Sequence, residues 1–300
     1  MTDEALYPTE NDRITDIDGI LVGNSHDAAV RSGTTVILPD QPVMMGVDVR
    51  GGAPGTRDTD ALDPTCLVNG FHGLVLSGGS VFGLGAVDGV VSWLSERGRG
   101  LSLGACIVPV VPGAILFDLA NGGDKNWGAL PPYRALGIKA CEAASRTIEE
   151  GAMGAGFGAL AGDRRGGLGT AALRSASGFH VGALVAVNSY GPPMDDQFDR
   201  IPLPKEGLVG ANTTIAAIAT DLALDKAGCR RLAIMAQDGL ARSLRPIHTP
   251  YDGDTVFALS TGAISPPEPF SRSLLVAGAM AADALARAVG KALAAAGQAE

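Results

Sequence analysis

Aromatic residues supply only 5% of this sequence, cysteines number four, and no stretch gathers positive charge. Each shortage removes a class of answers. Cys66, Cys106, Cys141 and Cys229 are widely spaced, with no CxxC pair and no metal-ligand spacing, which argues against a disulfide scaffold and a zinc site. They read as small buried thiols of a reduced, cytoplasmic protein. The net charge is −9, and without a basic cluster to track a phosphate backbone no nucleic-acid partner is expected. The acidic start, Met1-Thr2-Asp3-Glu4, lacks the charged-then-apolar order of a signal peptide. Familiar fingerprints fail too. The turn Ser77-Gly78-Gly79-Ser80 does not fit G-x-G-x-x-G, and Phe82 stands where G-x-S-x-G needs its last glycine. Gly122–Trp127 lacks the GK[ST] ending of a P-loop, and the acids Asp195, Asp196 and Asp199 lack EF-hand spacing. No cofactor or metal is expected.

What is present is apolar and glycine-rich. With 46% hydrophobic and 18% charged residues, 300 residues can build one large domain. The 42 glycines point to closely packed sheet and helix layers. Residues 1–13 read as a loose polar arm. Ile17–Val22 and Thr34–Leu38 read as short strands, with Asn24-Ser25-His26-Asp27 as the turn between them and His26 solvated. Val43–Val49 leads into Arg50–Asp60, where Arg50, Arg57, Asp58 and Asp60 are expected to form an internal ion-pair network. Gly73–Leu76 reads as a buried strand feeding a Gly-rich turn and a helix through Trp93; the turn's amides can bind an oxyanion or a carboxylate, or simply pack tightly. Ile107–Val111, broken by Pro109, reads as an edge strand or a bulge.

Arg134–Glu150 has helical composition, and Ala152–Gly169 should supply close backbone approaches beneath a site. Val181–Val187 is expected to be a strand delivering Asn188, either as a turn residue or as an amide donor to an oxyanion. Residues 191–207, with their prolines and acids, read as a mobile linker. Asp225–Leu244 and Ser271–Ala295 read as amphipathic helices, the second with a polar stripe of Asp283, Arg287 and Lys291 that argues against a membrane span.

Between the linker and the first of these helices lies Leu208–Thr220. A Gly-bearing turn, Gly210-Ala211, meets Asn212-Thr213, and a buried β-branched run follows at once. A hydroxyl at the start of a rigid strand, after a loop that can move, is what an N-terminal nucleophile requires. Thr213 Oγ can attack the Asn212 carbonyl, shift the acyl group from nitrogen to oxygen and let water cut the ester. The freed α-amine, with an ordinary pKa of about 7.7–8.0, can then act as a base near neutral pH. The same dipeptide also fits a turn asparagine beside a strand threonine. Downstream, Asp252-Gly253-Asp254 precedes another apolar run; its two carboxylates can orient a hydroxyl and an ammonium group, or form a polar turn.

Taken together these segments resemble the self-processing family of L-aminopeptidase/D-esterase, β-peptidyl aminopeptidases and endo-type 6-aminohexanoate-oligomer hydrolase. The resemblance runs collinearly through Asp48–Arg57, Leu76–Leu84, Val108–Pro112, Phe117-Asp118-Leu119, Gly166–Thr170, Val187-Asn188, Asn212-Thr213-Thr214, Ala233–Arg242 and Tyr251–Asp254. It implies an α/β fold of αββα-sandwich type, shared with ornithine acetyltransferase, and one domain of residues 1–300 autocleaved into 1–212 and 213–300. It also implies a homo-oligomer, often tetrameric. By the same resemblance Thr213 is the nucleophile, Asn212/Thr213 the cut, and Asn188 the oxyanion-stabilising asparagine. Asp252 and Asp254 match the acidic pair of the oligoamide hydrolases. The implied substrate is a small peptide or oligoamide.

One position departs from that pattern. Where the oligoamide hydrolases carry a functional lysine, Gly162 is followed here by Asp163-Arg164-Arg165. A guanidinium cannot replace lysine in proton transfer. An ornithine-acetyltransferase-like acyl transferase is the competing expectation, against which stands the missing glycine-methionine-rich segment before the threonine. An unprocessed binding scaffold on the same fold is the other.

Overall fold

The computed structural model describes residues 4–194 and 212–298. The acidic, proline-bearing stretch from Asp195 through Pro204 and the Gly210-Ala211 turn lie outside the described residues.

Two sheets form the interior. In the six-stranded sheet the order is Leu6–Pro8, Gly167–Ser175, His180–Asn188, Thr213–Leu222, Thr255–Ile264 and Met44–Val49. All neighbours are antiparallel except Thr213–Leu222 and Thr255–Ile264, which run parallel. A parallel pair needs a long crossover. It is supplied by a helix, Lys226–Ala241. The five-stranded sheet has the order Ile20–Asp27, Ser32–Pro39, Leu74–Ser77, Gly113–Ile115 and Thr56–Arg57. Among the described residues four α-helices complete the layers: α1 (Gly85–Glu96), α2 (Tyr133–Glu142), α3 (Lys226–Ala241) and α4 (Phe270–Ala296).

Alternation along the strands explains the layering. In Thr213–Leu222, Ile215, Ala217 and Ala219 join the core between the two sheets, while Ala216 and Ile218 join the core beneath α3 and α4. Both faces are covered, so the run is apolar almost throughout. Val36, Leu38 and Val75 face α1 and α2 in the same way. The order is helices, sheet, sheet, helices, the expected αββα sandwich. Glycines let the layers close. A side chain on Gly169 would press on the Ala288 carbonyl of α4, and one on Gly89 would meet the Arg134 carbonyl at α2.

α4 is long and apolar enough to cross a membrane by length and composition, with 61% of its apolar window buried. Its polar stripe is tied to the chain itself: Arg287 reaches Asp12 at 2.7 Å, Asp283 takes Arg242 at 2.6 Å, and Lys291 lies 3.4 Å from Glu150.

Several expectations need correction. Residues 4–13 of the N-terminal arm are not loose, because Leu6–Pro8 pairs with Leu173–Ser175 and Asp12 anchors α4. Asn24–Asp27 is strand, since its backbone pairs with Ser32–Thr35; the turn comes after it, and His26 stacks on Phe157 at 4.1 Å. The helix after the Gly-rich turn starts as a 3-10 segment, Ser80–Leu84, whose first residue, Ser80, holds φ +51. Residues Cys106–Val108 form a small hairpin with Leu101–Leu103, and the sheet strand begins only after Pro112. α2 stops at Glu142, leaving Ser145 free to bridge to Val22. Arg50 pairs with Asp48 at 2.8 Å, and Arg57 with Asp88 at 2.8 Å and Asp58 at 3.6 Å, while Asp60 has no ion pair among the described residues. Two of the four thiols, Cys66 and Cys106, are exposed.

Candidate active site

The strand Thr213–Leu222 begins at one end of the layer between the two sheets. Its period of two carries the Thr213 side chain into that layer with Ile215 and Ala217. Asn188 is the direct antiparallel partner of Thr213. Opposed residues share a face, with Cβ atoms about 4.5–5.5 Å apart. Both side chains are buried, each residue at 2% exposure.

The hydroxyl of Thr213 donates to the Asn212 carbonyl oxygen at 2.5 Å. That same oxygen accepts the Gly253 N–H at 3.1 Å. The peptide bond before Thr213 therefore already has a hydroxyl beside it and an amide on its oxygen. Gly253 has room for no side chain, because a Cβ would lie 2.7 Å from Thr213 Oγ and 2.8 Å from the Ala53 carbonyl.

Asn188 is gripped from two sides. Its Oδ1 accepts the Leu160 N–H at 2.8 Å, and its Nδ2 donates to the Phe117 carbonyl at 2.9 Å. The amide orientation is thereby set.

The two carboxylates of Asp252-Gly253-Asp254 are fully buried and divide their work. Asp254 Oδ1 accepts the Thr214 N–H at 2.7 Å, one residue beyond the nucleophile position. Its Oδ2 accepts both the backbone N–H and the Nδ1 of His248, each at 2.9 Å. Asp252 accepts from the Thr249 hydroxyl at 2.6 Å, the Thr249 N–H at 2.8 Å and the Tyr190 N–H at 3.2 Å. Burial, and then the neighbouring Asp254 charge, push the Asp252 carboxyl above its usual range, against the pull of those donors.

The loop after Met44–Val49 clamps this acidic turn. Arg50 N–H donates to the Asp254 carbonyl at 3.0 Å and Ala53 N–H to the Asp252 carbonyl at 2.8 Å. A Cβ on Gly51 would meet the Asp254 nitrogen at 2.3 Å, so only glycine allows this approach. The Gly-rich turn Ser77–Ser80 proves to hold a carboxylate, but one of the chain's own: Asp118 Oδ1 accepts the Gly79 N–H at 2.7 Å.

A match to the model of Peptidase family S58 spans residues 12–300. The chain belongs to that family. Among similar proteins, an uncharacterised aminopeptidase of Mycobacterium tuberculosis is 45% identical over 92% of this chain and 92% of its own length. The 6-aminohexanoate-oligomer endohydrolase of a Kocuria species is 31% identical over 84% of this chain and 76% of its own length. Among solved structures, the L-aminopeptidase D-Ala-esterase/amidase of Ochrobactrum anthropi, a prototype serine aminopeptidase with a variant Ntn-hydrolase fold, superposes with TM-score 0.74. It is 26% identical, covering 97% of this chain and 88% of that one. The layered α/β architecture of this S58 chain is thus that of an Ntn hydrolase.

Of the residues singled out in the sequence, Asn188, Asn212, Thr213, Asp252 and Asp254 come together at one end of the sheets. Arg164 and Arg165 form a two-residue strand paired with Leu160–Ala161; Arg165 lines a cavity beside Leu160, and Arg164 is not among the residues lining it. Sequence reasoning missed His248 and the Gly253 amide. His248 sits at φ +59, and its Nε2 is buried without a hydrogen-bond partner among the described residues. Its neighbourhood to Asp254 in sequence was visible. The left-handed backbone that turns it onto the carboxylate was not.

Proposed function

We propose that this chain is a self-processing N-terminal-nucleophile amide hydrolase whose nucleophile is Thr213. The observation that carries this reading is the convergence on one peptide bond: Thr213 hydroxyl at 2.5 Å and Gly253 N–H at 3.1 Å from the Asn212 carbonyl oxygen. In processing, Thr213 Oγ adds to the Asn212 carbonyl carbon and the Gly253 amide stabilises the oxyanion. Collapse breaks the C–N bond and leaves an ester, which water hydrolyses to give chains 1–212 and 213–300.

In turnover the new α-amine accepts the Thr213 hydroxyl proton, and Oγ attacks the substrate carbonyl. The remaining Asn188 N–H stabilises that oxyanion, and the proton passes to the leaving amine. Water then releases the acyl group. Asp254, bonded to the Thr214 N–H, lies beside the ammonium form, and Asp252 shapes the turn that holds Gly253. The substrates in this reading are small peptides or oligoamides, in keeping with the aminopeptidase and oligomer-hydrolase names of the relatives. A homo-oligomer in the cytoplasm belongs to the same proposal, and light scattering of the purified protein measures the oligomer.

Intact-mass spectrometry tests the core of it. Wild-type protein should resolve into two chains that stay associated, and Thr213→Ala into one inactive chain. Thr213→Ser should keep part of the processing because the hydroxyl survives. Uncut wild-type protein after long incubation would sink the proposal.

A further inference from the structure

The two backbone segments that grip the Asn188 amide do not end there. From Phe117 the chain runs on to Asn121, and from Leu160 it runs back to Phe157. Asn121 joins the two runs again, its Nδ2 donating to the Arg31 carbonyl at 2.6 Å and to the Gly158 carbonyl at 3.2 Å. Between them lies a cavity of about 230 Å³ lined by Ala28, Arg31, Asn121, Phe157 to Leu160 and Arg165. Its wall is therefore one hydrogen bond from Asn188, and Asn188 is the strand partner of Thr213.

The chemistry of that lining is distinctive. The floor is apolar: Ala28, Phe157, Ala159 and Leu160. Two arginines, Arg31 and Arg165, are among its lining residues, and neither makes an ion pair among the described residues. This is notable in a chain whose net charge is −9. Of the acids on the adjoining segments, two have oxygens held by backbone amides, while Asp118 Oδ2 is buried beside Gly158 with no hydrogen-bond partner among the described residues. Asp27 Oδ1 accepts the Ala29 and Val30 N–H groups, and Asp118 Oδ1 accepts that of Gly79. Lys125 adds positive charge behind the cavity, with its Nζ donating to Asn121 Oδ1 at 2.9 Å and to the Val30 carbonyl. Guanidiniums match carboxylates by a planar fork of donors, and an apolar floor accepts methylene groups.

We propose that this cavity binds a carboxylate of the substrate, carried on a short aliphatic chain, and so selects amides with a free acid end. The assignment rests on the amide-hydrolase reading above and adds the substrate class to it. It also gives the Arg165 position a task other than proton transfer: Arg165 and Arg31 act as a charge clamp. A substrate presenting an ammonium group to this cavity is disfavoured by the same charges.

The probes are hexanoate and hexanamide, which share a chain and differ in charge. Calorimetric titration of purified protein should show hexanoate binding about tenfold more tightly, the order expected of a charge-assisted contact. In Arg31→Gln/Arg165→Gln that preference should fall to near one, and Arg165→Lys should keep part of it because the charge remains. Both arginines are exposed, so the variants should fold, which circular dichroism checks. Equal binding of the two probes by wild type, no detectable hexanoate binding, or a preference that survives in the double variant overturns the assignment. A second arm compares kcat/KM for alanyl-6-aminohexanoate and its terminal carboxamide. Cleavage of neither, together with selective hexanoate binding, would fail the hydrolase reading and leave the carboxylate site standing. Cleavage of both without preference would do the reverse.

Discussion

Gly253 donates its backbone N–H to the carbonyl oxygen of Asn212, the residue whose peptide bond precedes Thr213. The donor belongs to the acidic turn, so the turn that carries Asp252 and Asp254 also supplies an amide to the bond proposed to break. Gly253→Ala should slow processing. Its methyl group would meet Thr213 Oγ at 2.7 Å and the Ala53 carbonyl at 2.8 Å, pushing the amide away from the oxygen. The time course of chain separation by mass spectrometry reads this directly. Cleavage at the wild-type rate would remove Gly253 from the mechanism.

Asn188 is held as well as holding. Removing one oxyanion donor typically lowers kcat by about 10²–10³. Asn188→Ala also leaves the Leu160 N–H and the Phe117 carbonyl without their partner, which should cost about 1–3 kcal/mol of stability. The expected outcome is a folded, less stable protein that turns over slowly, with KM changed much less. A raised KM with kcat intact would make Asn188 a substrate-binding group instead.

The α-amine proposed as general base makes the acid limb of kcat/KM informative. It must be neutral to accept a proton, so activity should fall as pH drops through its pKa. Burial lowers that pKa and the Asp254 charge raises it, leaving the limb roughly between pH 6.5 and 8, near the free-amine value. Asp254→Asn should move the limb to lower pH in protein confirmed as processed. His248→Asn retains a side-chain donor toward Asp254, and asparagine tolerates the φ of +59. It should therefore keep more activity than His248→Ala. Equal activities would show that the side-chain bond to Asp254 contributes nothing.

Asp118 offers a test of stability apart from catalysis. Burial pushes its carboxyl above the usual range, despite the Ser32 hydroxyl and the Gly79 N–H beside it. A raised acid binds its proton more tightly folded than unfolded. Its cost to stability therefore grows as pH rises from the ordinary 3.8 through the folded value, and is full at neutral pH. Asp118→Asn keeps an oxygen for Gly79 and removes the charge. It should melt higher than wild type at pH 7, by roughly 2–4 °C per kcal/mol gained, and the difference should vanish in acid. A gain that persists unchanged below pH 4 would remove the carboxyl charge as its cause.

Much was legible in the chain itself, because hydrophobic period is a local property. The apolar runs Val181–Val187, the one that follows Asn212-Thr213, and Val256–Leu259 all lie within strands, and the stripe of Asp283, Arg287 and Lys291 marked one face of α4. Collinear motifs carried the family and, through it, the sandwich. Local pattern misled where pairing overrode it: Asn24–Asp27 has turn chemistry but is held extended by Ser32–Thr35, and Leu6–Pro8 becomes a strand only because Leu173–Ser175 offers it an edge. The meeting of Thr213 with Asn188, Gly253 and, through Asp254, His248 was decided by tertiary structure alone. These contacts depend on strand register and on one left-handed residue, and neither leaves a periodic trace in sequence. The same is true of Arg31 and Arg165, 134 positions apart, which line one cavity because two loops are fastened together by the single amide of Asn121.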